Sequence, residues 1–476
     1  MKFVPVVGTR VLFSIWDTRV NDFETFVNDT GYDATEGVFS LGKDGWKQTW
    51  CDMEKPEAWQ RLWELVRSWP SRRRGAVSSE DSENRRDACV VEAAELHSYA
   101  KSVTQLQTEA INEVTDSQVL NLLTLMKALR FHAKRDLRVD DIAAPKQCGP
   151  NQVIVKTSWC GICGTDLHEF MAGPIFIPKD SKGQILGHEF GGELVEVGSG
   201  IKDYRVGDRV SIQPLITPKE GYYESRGLNQ LSDHLTLVGL SWPWGGMGEY
   251  ALVNESNIAK IPESVTDEQA AAVEPAAVTI NALDKSGLRA GDTALVTGGG
   301  PIGALAVLSA NAAGASKIFV SEPNSVRRKL MEELESCTAA YDPVSQDVAA
   351  LIREQTEGKA GADVAMECSG NDKGLLTCLQ SVRRQGTIVQ VGLPTAVGTL
   401  DMHLLVTKDI HLLGSWCYPV TSWPRVIGLI AAGRLPVEKV VTSKITLEEA
   451  VPKGFEVLTS KENRDLKVLI RLGAGS

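Results

Sequence analysis

The residues best able to do chemistry gather in one stretch, Trp159-Cys160-Gly161-Ile162-Cys163-Gly164-Thr165-Asp166-Leu167-His168. A second group, Gly187-His188-Glu189-Phe190, follows, with His188 twenty positions after His168. Together they offer soft sulfur, borderline nitrogen and hard oxygen. That mixture suits a zinc ion that keeps one coordination position open for reaction. Cys160 and Cys163 alone would be ambiguous, since a C-x-x-C can be a redox pair or two buried thiols. The G-T-D-x-H and G-H-E that follow weigh against both.

Cys163-Gly164-Thr165-Asp166-x-His168 followed by Gly187-His188-Glu189 resembles the catalytic-zinc signature of the medium-chain zinc-dependent alcohol dehydrogenases. Within that family the pattern is most like the butanediol and sorbitol (polyol) branch, and the resemblance runs from about Met126 to Leu472. It implies zinc ligands Cys163, His188 and Glu189, with Cys160 as a spare thiol. It implies a proton path through the Thr165 hydroxyl and His168 to solvent, with Asp166 orienting a ligand histidine. Ala270 to Val278 reads A-A-A-V-E-P-A-A-V, an apolar segment with one carboxylate. A lone buried Glu needs a partner. In the polyol branch a Glu in such a V-E-P lies beside the metal, so Glu274 is a fourth candidate metal or near-metal group; capping the following helix is the alternative.

A second motif concerns a cofactor. Thr293 to Thr297 reads as a buried strand, then Gly298-Gly299-Gly300-Pro301-Ile302-Gly303 opens an apolar helix through Ala313. A lone G-x-G-x-x-G is weak. Here it sits between strand and helix, and a second strand, Lys317 to Ser321, ends in Glu322. That is the Rossmann fingerprint, in which glycines let a pyrophosphate reach the helix N-terminus. Gly298, Gly300, Pro301, Ile302 and Gly303 are therefore candidate cofactor residues. Glu322 is placed to bind the adenine ribose hydroxyls, which favours NAD over NADP, while Arg327 and Arg328 either flank the adenine or solvate their helix. Later strands at Asp363 to Cys368 and Thr387 to Val391 end in loops, so Val391 and Gly392 are expected near the nicotinamide.

These motifs need two scaffolds. From Met126, short strands punctuated by Gly and Pro imply an all-β, barrel-like catalytic domain, GroES-like by the resemblance. In the strand at Gln152 to Thr157, Val153 and Val155 point inward and Lys156 outward. Gly191, Gly192, Gly198 and Gly207 are expected to serve turns. The fold class is thus α/β: a catalytic domain at 126–280 and 419–476, a doubly wound Rossmann domain at 281–418, and an extension at 1–125. Many relatives carry four closely spaced cysteines between Pro214 and Gly245, around a structural zinc. This sequence has none there, so one zinc is expected, not two. Tyr222, Tyr223, Leu231, Leu235, Leu237, Trp242 and Trp244 are the expected replacement packing, and His234 a surface histidine.

The extension carries six of the eleven tryptophans. Trp59, Leu62, Trp63, Val66 and Trp69 recur at helical spacing, which predicts a helix over 56–69. Residues 68–87 read as a solvated linker and 88–125 as further helix. This segment either docks a partner through its tryptophan face or has no catalytic role. The second reading is adopted, so a chain beginning at Met126 is expected to fold and act.

Composition sets the outer limits. A formal net charge of −11 argues against nucleic acid or a membrane surface as the main partner. No apolar run approaches the ~20 residues of a membrane span, and Arg10 interrupts the opening apolar stretch. Nine irregularly spaced cysteines fit reduced thiols, hence a cytoplasmic protein. The expected function is zinc-dependent hydride transfer between a secondary alcohol, a vicinal diol or polyol, and NAD, in a homo-oligomer (dimer or tetramer). The alternatives are an NADPH-dependent carbonyl reductase and a non-catalytic NAD-binding protein.

Overall fold

The computed structural model describes residues 125–472, apart from positions 182, 395, 461 and 462. Within the first 124 residues it describes four short strands, Val4–Pro5, Leu12–Phe13, Val38–Gly42 and Gly45–Thr49. The chain divides into two compact units, Met1–Thr124 and Leu125–Ser476. In the first, Val4–Pro5 pairs antiparallel with Leu12–Phe13, and Val38–Gly42 forms a hairpin with Gly45–Thr49. Helical periodicity carries no sign of that hairpin. The expected tryptophan helix, the linker and the further helix up to residue 124 lie outside the described residues.

The second unit holds a seven-stranded sheet, antiparallel except for one parallel pair near the C-terminus, packed on an apolar core. Gln152–Gly161 is its central strand, with Glu189–Val197, Tyr250–Asn254 and Lys467–Arg471 all paired to it antiparallel. Val153, Ile154 and Val155 are all buried while Lys156 is exposed, and the pairing with Glu189–Val197 shifts register between Ile154 and Val155. The simple in-out alternation read from sequence therefore breaks at Ile154. The expectation that Gly191 and Gly192 serve turns is also corrected. Both lie inside Glu189–Val197, opposite a register shift in the central strand. A Cβ on Gly192 would sit 2.1 Å from the Lys156 carbonyl oxygen, and one on Gly191 2.6 Å from Ala270 Cβ. Gly192 is glycine because the paired strand's backbone crowds it, and Gly191 because the helical segment at Ala270 packs on it. Gly207, at φ +88, is a turn residue as expected.

The lobe at 214–245 holds a two-stranded ladder, Leu215–Ile216 with Thr236–Leu237, and two short helical turns. Trp242, Trp244, Leu235 and Leu237 are partly buried against the cores, and the Trp242 indole donates to the Leu252 carbonyl at 2.9 Å. Tyr222 and Leu231 are instead exposed, at 67% and 42%. The Tyr222 ring carries the Arg226 guanidinium 3.9 Å above it. Those two do not fill the lobe, because the turns at Glu224–Arg226 and Asn229–Leu231 are closed by backbone bonds of their own.

A six-stranded sheet follows, parallel throughout, in the order Ala339–Tyr341, Lys317–Ser321, Thr293–Thr297, Ala362–Glu367, Val382–Gln390, His411–Gly414. This is the doubly wound order with its switch point beside the first strand. All five residues of Thr293–Thr297 are buried, as a strand covered on both faces requires. The strands at Ala339–Tyr341 and His411–Gly414 have no sequence signal beyond ordinary alternation. After Gly414 the chain crosses back. Trp423 packs on Tyr418 with ring centroids 4.9 Å apart. Val441–Thr446 and Lys467–Arg471 then join the first sheet.

Candidate active site

The first sheet and one helix bring the chemistry together. The central strand ends at Gly161, paired with Glu189, the first residue of its neighbour. Cys163 then N-caps the helix Gly164–Ala172, where its backbone N–H donates to the Asp166 carboxylate at 2.9 Å. His188 immediately precedes the Glu189 strand. In consequence one ligand atom from each of Cys163, His188 and Glu189 lies within 4.8 Å of the other two. Cys160 is fully buried one turn of strand away and takes no part. Gly161 has to be glycine, because a Cβ there would lie 2.2 Å from the Glu189 carboxylate.

Glu189 is held by a residue the sequence reading passed over. Lys467, 2% exposed, donates its ammonium to both carboxylate oxygens, at 2.8 and 2.6 Å, and to the Ile162 carbonyl at 3.1 Å. Burial pulls the Lys467 ammonium down, but the carboxylate of Glu189 and the Cys163 sulfur outweigh it and hold its pKa above the usual lysine value. A signal was available: one lysine interrupts the apolar run Leu466-Lys467-Val468-Leu469-Ile470. Lysine is almost never fully buried without a partner.

Asp166 is fully buried beneath His188, with 3.7 Å between the His188 Nδ1 and the carboxylate. Burial raises the Asp166 pKa to about 6. Burial would lower the His188 pKa, yet the Asp166 carboxyl and the Cys163 sulfur raise it well above the free value. These groups want a positive charge among them. Asp166 Oδ1 and His188 Nδ1 are both buried without a hydrogen-bond partner. Glu274, in the first turn of Val273–Ser286, is buried and accepts from the Tyr418 hydroxyl at 2.7 Å. Burial raises its pKa to about 7, with Glu189 adding to the effect. Thr165 stands beside the cluster, its hydroxyl 3.8 Å from the Cys163 sulfur. His168 is three residues further along the same helix, half-buried.

The residues expected to bind the cofactor gather on the parallel sheet. Gly298 has φ +90, and a Cβ on Gly303 would lie 1.8 Å from the Gly298 carbonyl oxygen. Pro301 and Ile302 open the helix Pro301–Ala312, with Gly300 as its N-cap. Glu322 is buried at the end of its strand. Its carboxylate accepts the backbone N–H of Gly299 at 2.6 Å and of Asn324 at 2.7 Å, so it shapes the glycine loop itself. Arg327 Nε is buried with no hydrogen-bond partner, whereas Arg328 is spent on the Glu322 and Pro323 carbonyls. The backbone N–H groups of Val391 and Gly392 both donate to the Glu367 carbonyl at 2.8 Å.

Comparison with known proteins gives the same outline. Residues 149–263 match the alcohol dehydrogenase GroES-like domain and 301–432 the zinc-binding dehydrogenase domain. The chain is 38% identical over 355 residues to (R,R)-butanediol dehydrogenase of Bacillus subtilis, covering 73% of this chain and 99% of that protein. Sorbitol dehydrogenase of Bos taurus is 31% identical over 348 residues, 72% of this chain and 95% of the other. The chain belongs to the zinc-dependent medium-chain alcohol dehydrogenases. The crystal structure of the B. subtilis 2R,3R-butanediol dehydrogenase superposes with a TM-score of 0.68, covering 73% of this chain and all of that one. A zinc-binding dehydrogenase from Sinorhizobium meliloti 1021, bound to NADP, superposes at 0.67 with 30% identity and the same coverage. As a member of this family the chain is a zinc- and NAD(P)-dependent oxidoreductase of alcohols. Its site fits the metal. The converging donors are a thiol, an imidazole and a carboxylate, and the buried groups around them favour a cation.

Proposed function

We propose that this dehydrogenase oxidises a secondary hydroxyl that has a neighbouring oxygen, in a vicinal diol or polyol, with NAD as hydride acceptor. The convergence of Cys163, His188 and Glu189, with Glu274 beside them, carries the reading. In our assignment these residues hold the zinc, Glu274 as a direct or near-metal carboxylate. Bound there, zinc supplies Lewis-acid polarisation, enough to lower the pKa of a coordinated water from ~16 to ~7. Carboxylate in place of a second thiolate makes the site harder and suited to a substrate with two oxygens. That agrees with the butanediol and sorbitol dehydrogenases among the relatives.

The chain's own groups do the rest. Asp166 faces the His188 Nδ1 at 3.7 Å and orients the ring, as carboxylates commonly do behind a neutral, metal-bound histidine. Lys467 fixes the Glu189 carboxylate, and Tyr418 fixes Glu274. Thr165 and His168, three apart on one helix face, carry the substrate proton outward. Comparing kcat/KM for 2,3-butanediol, sorbitol, 2-butanol and ethanol tests the substrate class. A diol should exceed ethanol by roughly tenfold or more, about 1.4 kcal/mol of transition-state binding; ethanol as the best substrate would refute it.

For the dinucleotide we assign Gly298, Gly300, Pro301, Ile302, Gly303, Val391 and Gly392 to its backbone and Glu322 to its adenine ribose, with Arg327 alongside. A 2′-phosphate would face the buried Glu322 carboxylate, which favours NAD. Replacing Glu322 by Ser should move the NAD/NADP ratio of kcat/KM toward NADP by roughly tenfold or more. A native enzyme that already prefers NADP strongly would contradict the assignment.

The same reading assigns 126–280 and 419–476 to the catalytic domain, 281–418 to the cofactor domain, and leaves 1–125 outside both. A chain beginning at Met126 that lacks activity would contradict it. We infer a homo-oligomer, dimer or tetramer, supported by the exposed edge strand His411–Gly414 and exposed Val397, Met402 and Val406 nearby; a single-chain mass in sedimentation equilibrium is the contrary result. A cytoplasmic location is supported by seven described cysteines that are all free thiols. No described helix is long and apolar enough to cross a membrane. Recovery of the native protein from an extracellular fraction with oxidised cysteines would oppose that location.

A further inference from the structure

We propose that Glu367 is a positioning residue for the dinucleotide: its carboxylate draws three cofactor-binding loops into the one shape that admits the cofactor. The proposal rests on the reading of this sheet as the NAD site. Glu367 ends the strand Ala362–Glu367 and is fully buried, with no cation paired to it among the described residues.

Five donors meet its two oxygens instead. Oε1 accepts from the Ser369 backbone N–H at 2.8 Å, from the Thr297 hydroxyl at 3.3 Å and from the Ser369 hydroxyl. Oε2 accepts from the Gly370 N–H at 2.9 Å and the Gln390 amide at 2.5 Å. The Glu367 backbone carbonyl takes the N–H groups of Val391 and Gly392 as well.

The donors belong to the carboxyl ends of three adjacent parallel strands, where dinucleotides bind in such sheets. Thr297 immediately precedes Gly298. Ser369 and Gly370 form the next loop. Gln390 leads into Val391 and Gly392, and its amide also holds the Gly392 carbonyl at 2.8 Å. The loops themselves touch. A Cβ on Gly298 would lie 2.9 Å from Ser369 Cα, and one on Gly392 2.3 Å from the Gly370 nitrogen. Burying a charge without a cation is unfavourable to folding alone. What the arrangement provides is a single geometry shared by three loops.

The test compares the full chain with Glu367→Gln and Gln390→Met, using NAD, NADH and 2,3-butanediol. In Glu367→Gln one carboxylate oxygen becomes an NH2, which donates and so cannot accept from the donors on its side. We expect its KM for NAD, and the Kd for NADH from fluorescence titration, to rise by roughly tenfold. The kcat at saturating NAD, the KM for the diol and the zinc content should stay within about threefold of wild type. Gln390→Met should show the same split at smaller size, and it carries the test if Glu367→Gln fails to fold. Unchanged NAD affinity in a folded variant, or equal damage to kcat and diol KM, overturns the proposal. A wild-type enzyme that binds no NAD overturns the cofactor reading itself, a different and distinguishable result.

Discussion

A Cys163→Ala enzyme is expected to fold, hold far less than one zinc per chain, and lose at least roughly a thousandfold in kcat/KM. The size follows from what the metal contributes. Several kcal/mol of charge stabilisation comes from a Lewis acid at the reacting oxygen, and about 4 kcal/mol is a thousandfold in rate. Folding should survive because the side chain is only half-buried and the helix start depends on the Cys163 backbone N–H, which donates to Asp166 and which alanine keeps. The thiol is the donor that makes the set selective for zinc over hard cations, since His188 and Glu189 alone would be a common carboxylate-imidazole pair. Zinc by atomic absorption, circular dichroism and steady-state kinetics on the same preparation separate the effects. Near-native zinc and activity would show that Cys163 is not a ligand.

The second large effect concerns stability. Replacing Lys467 by Met strands the Glu189 carboxylate, 1% exposed, beside Gly161 and the buried Ile162 carbonyl. Breaking one side of a buried pair costs on the order of 3–5 kcal/mol, because the remaining charge has no partner. Urea unfolding of the zinc-free protein should show a loss of about 3 kcal/mol or more. The double replacement Lys467→Met with Glu189→Met should recover most of it, since paired apolar groups of similar volume restore what the single change removes. A single variant that loses under about 1 kcal/mol would mean the pair is effectively solvated.

Much of the site is legible in the sequence because it is local. Cys163, Thr165, Asp166 and His168 sit on one helical turn and its cap, and His188-Glu189 opens a strand. Spacing along the chain therefore becomes spacing in space. The glycine loop and Glu322 are local in the same sense, one strand–turn–helix unit and the strand beside it. What spacing hides is contact across the fold. Lys467 reaches Glu189 from 278 positions away, and Tyr418 reaches Glu274 from 144. Both arrive because the C-terminal segment returns to the first sheet, a topological fact no window can contain. Gly191 and Gly192 mislead for the same reason: they resemble turn glycines, but the constraint comes from segments distant in sequence, Ala270 against Gly191 and the paired Lys156 backbone against Gly192. Tyr222 and Leu231 show the converse. An apolar residue in a loop can be exposed when backbone bonds already close the turn.

The central claim, one zinc held by Cys163 and His188 with carboxylate help and required for hydride transfer to NAD, is tested most directly by a metal titration. The full chain is stripped by a chelator and zinc is added back in known amounts. NAD reduction with 2,3-butanediol is read at each step. The account predicts activity rising in proportion to bound zinc and levelling at about one per chain, the stoichiometry of a single catalytic site. Full activity in the stripped protein, or a rise that continues to two zinc ions per chain, would contradict it.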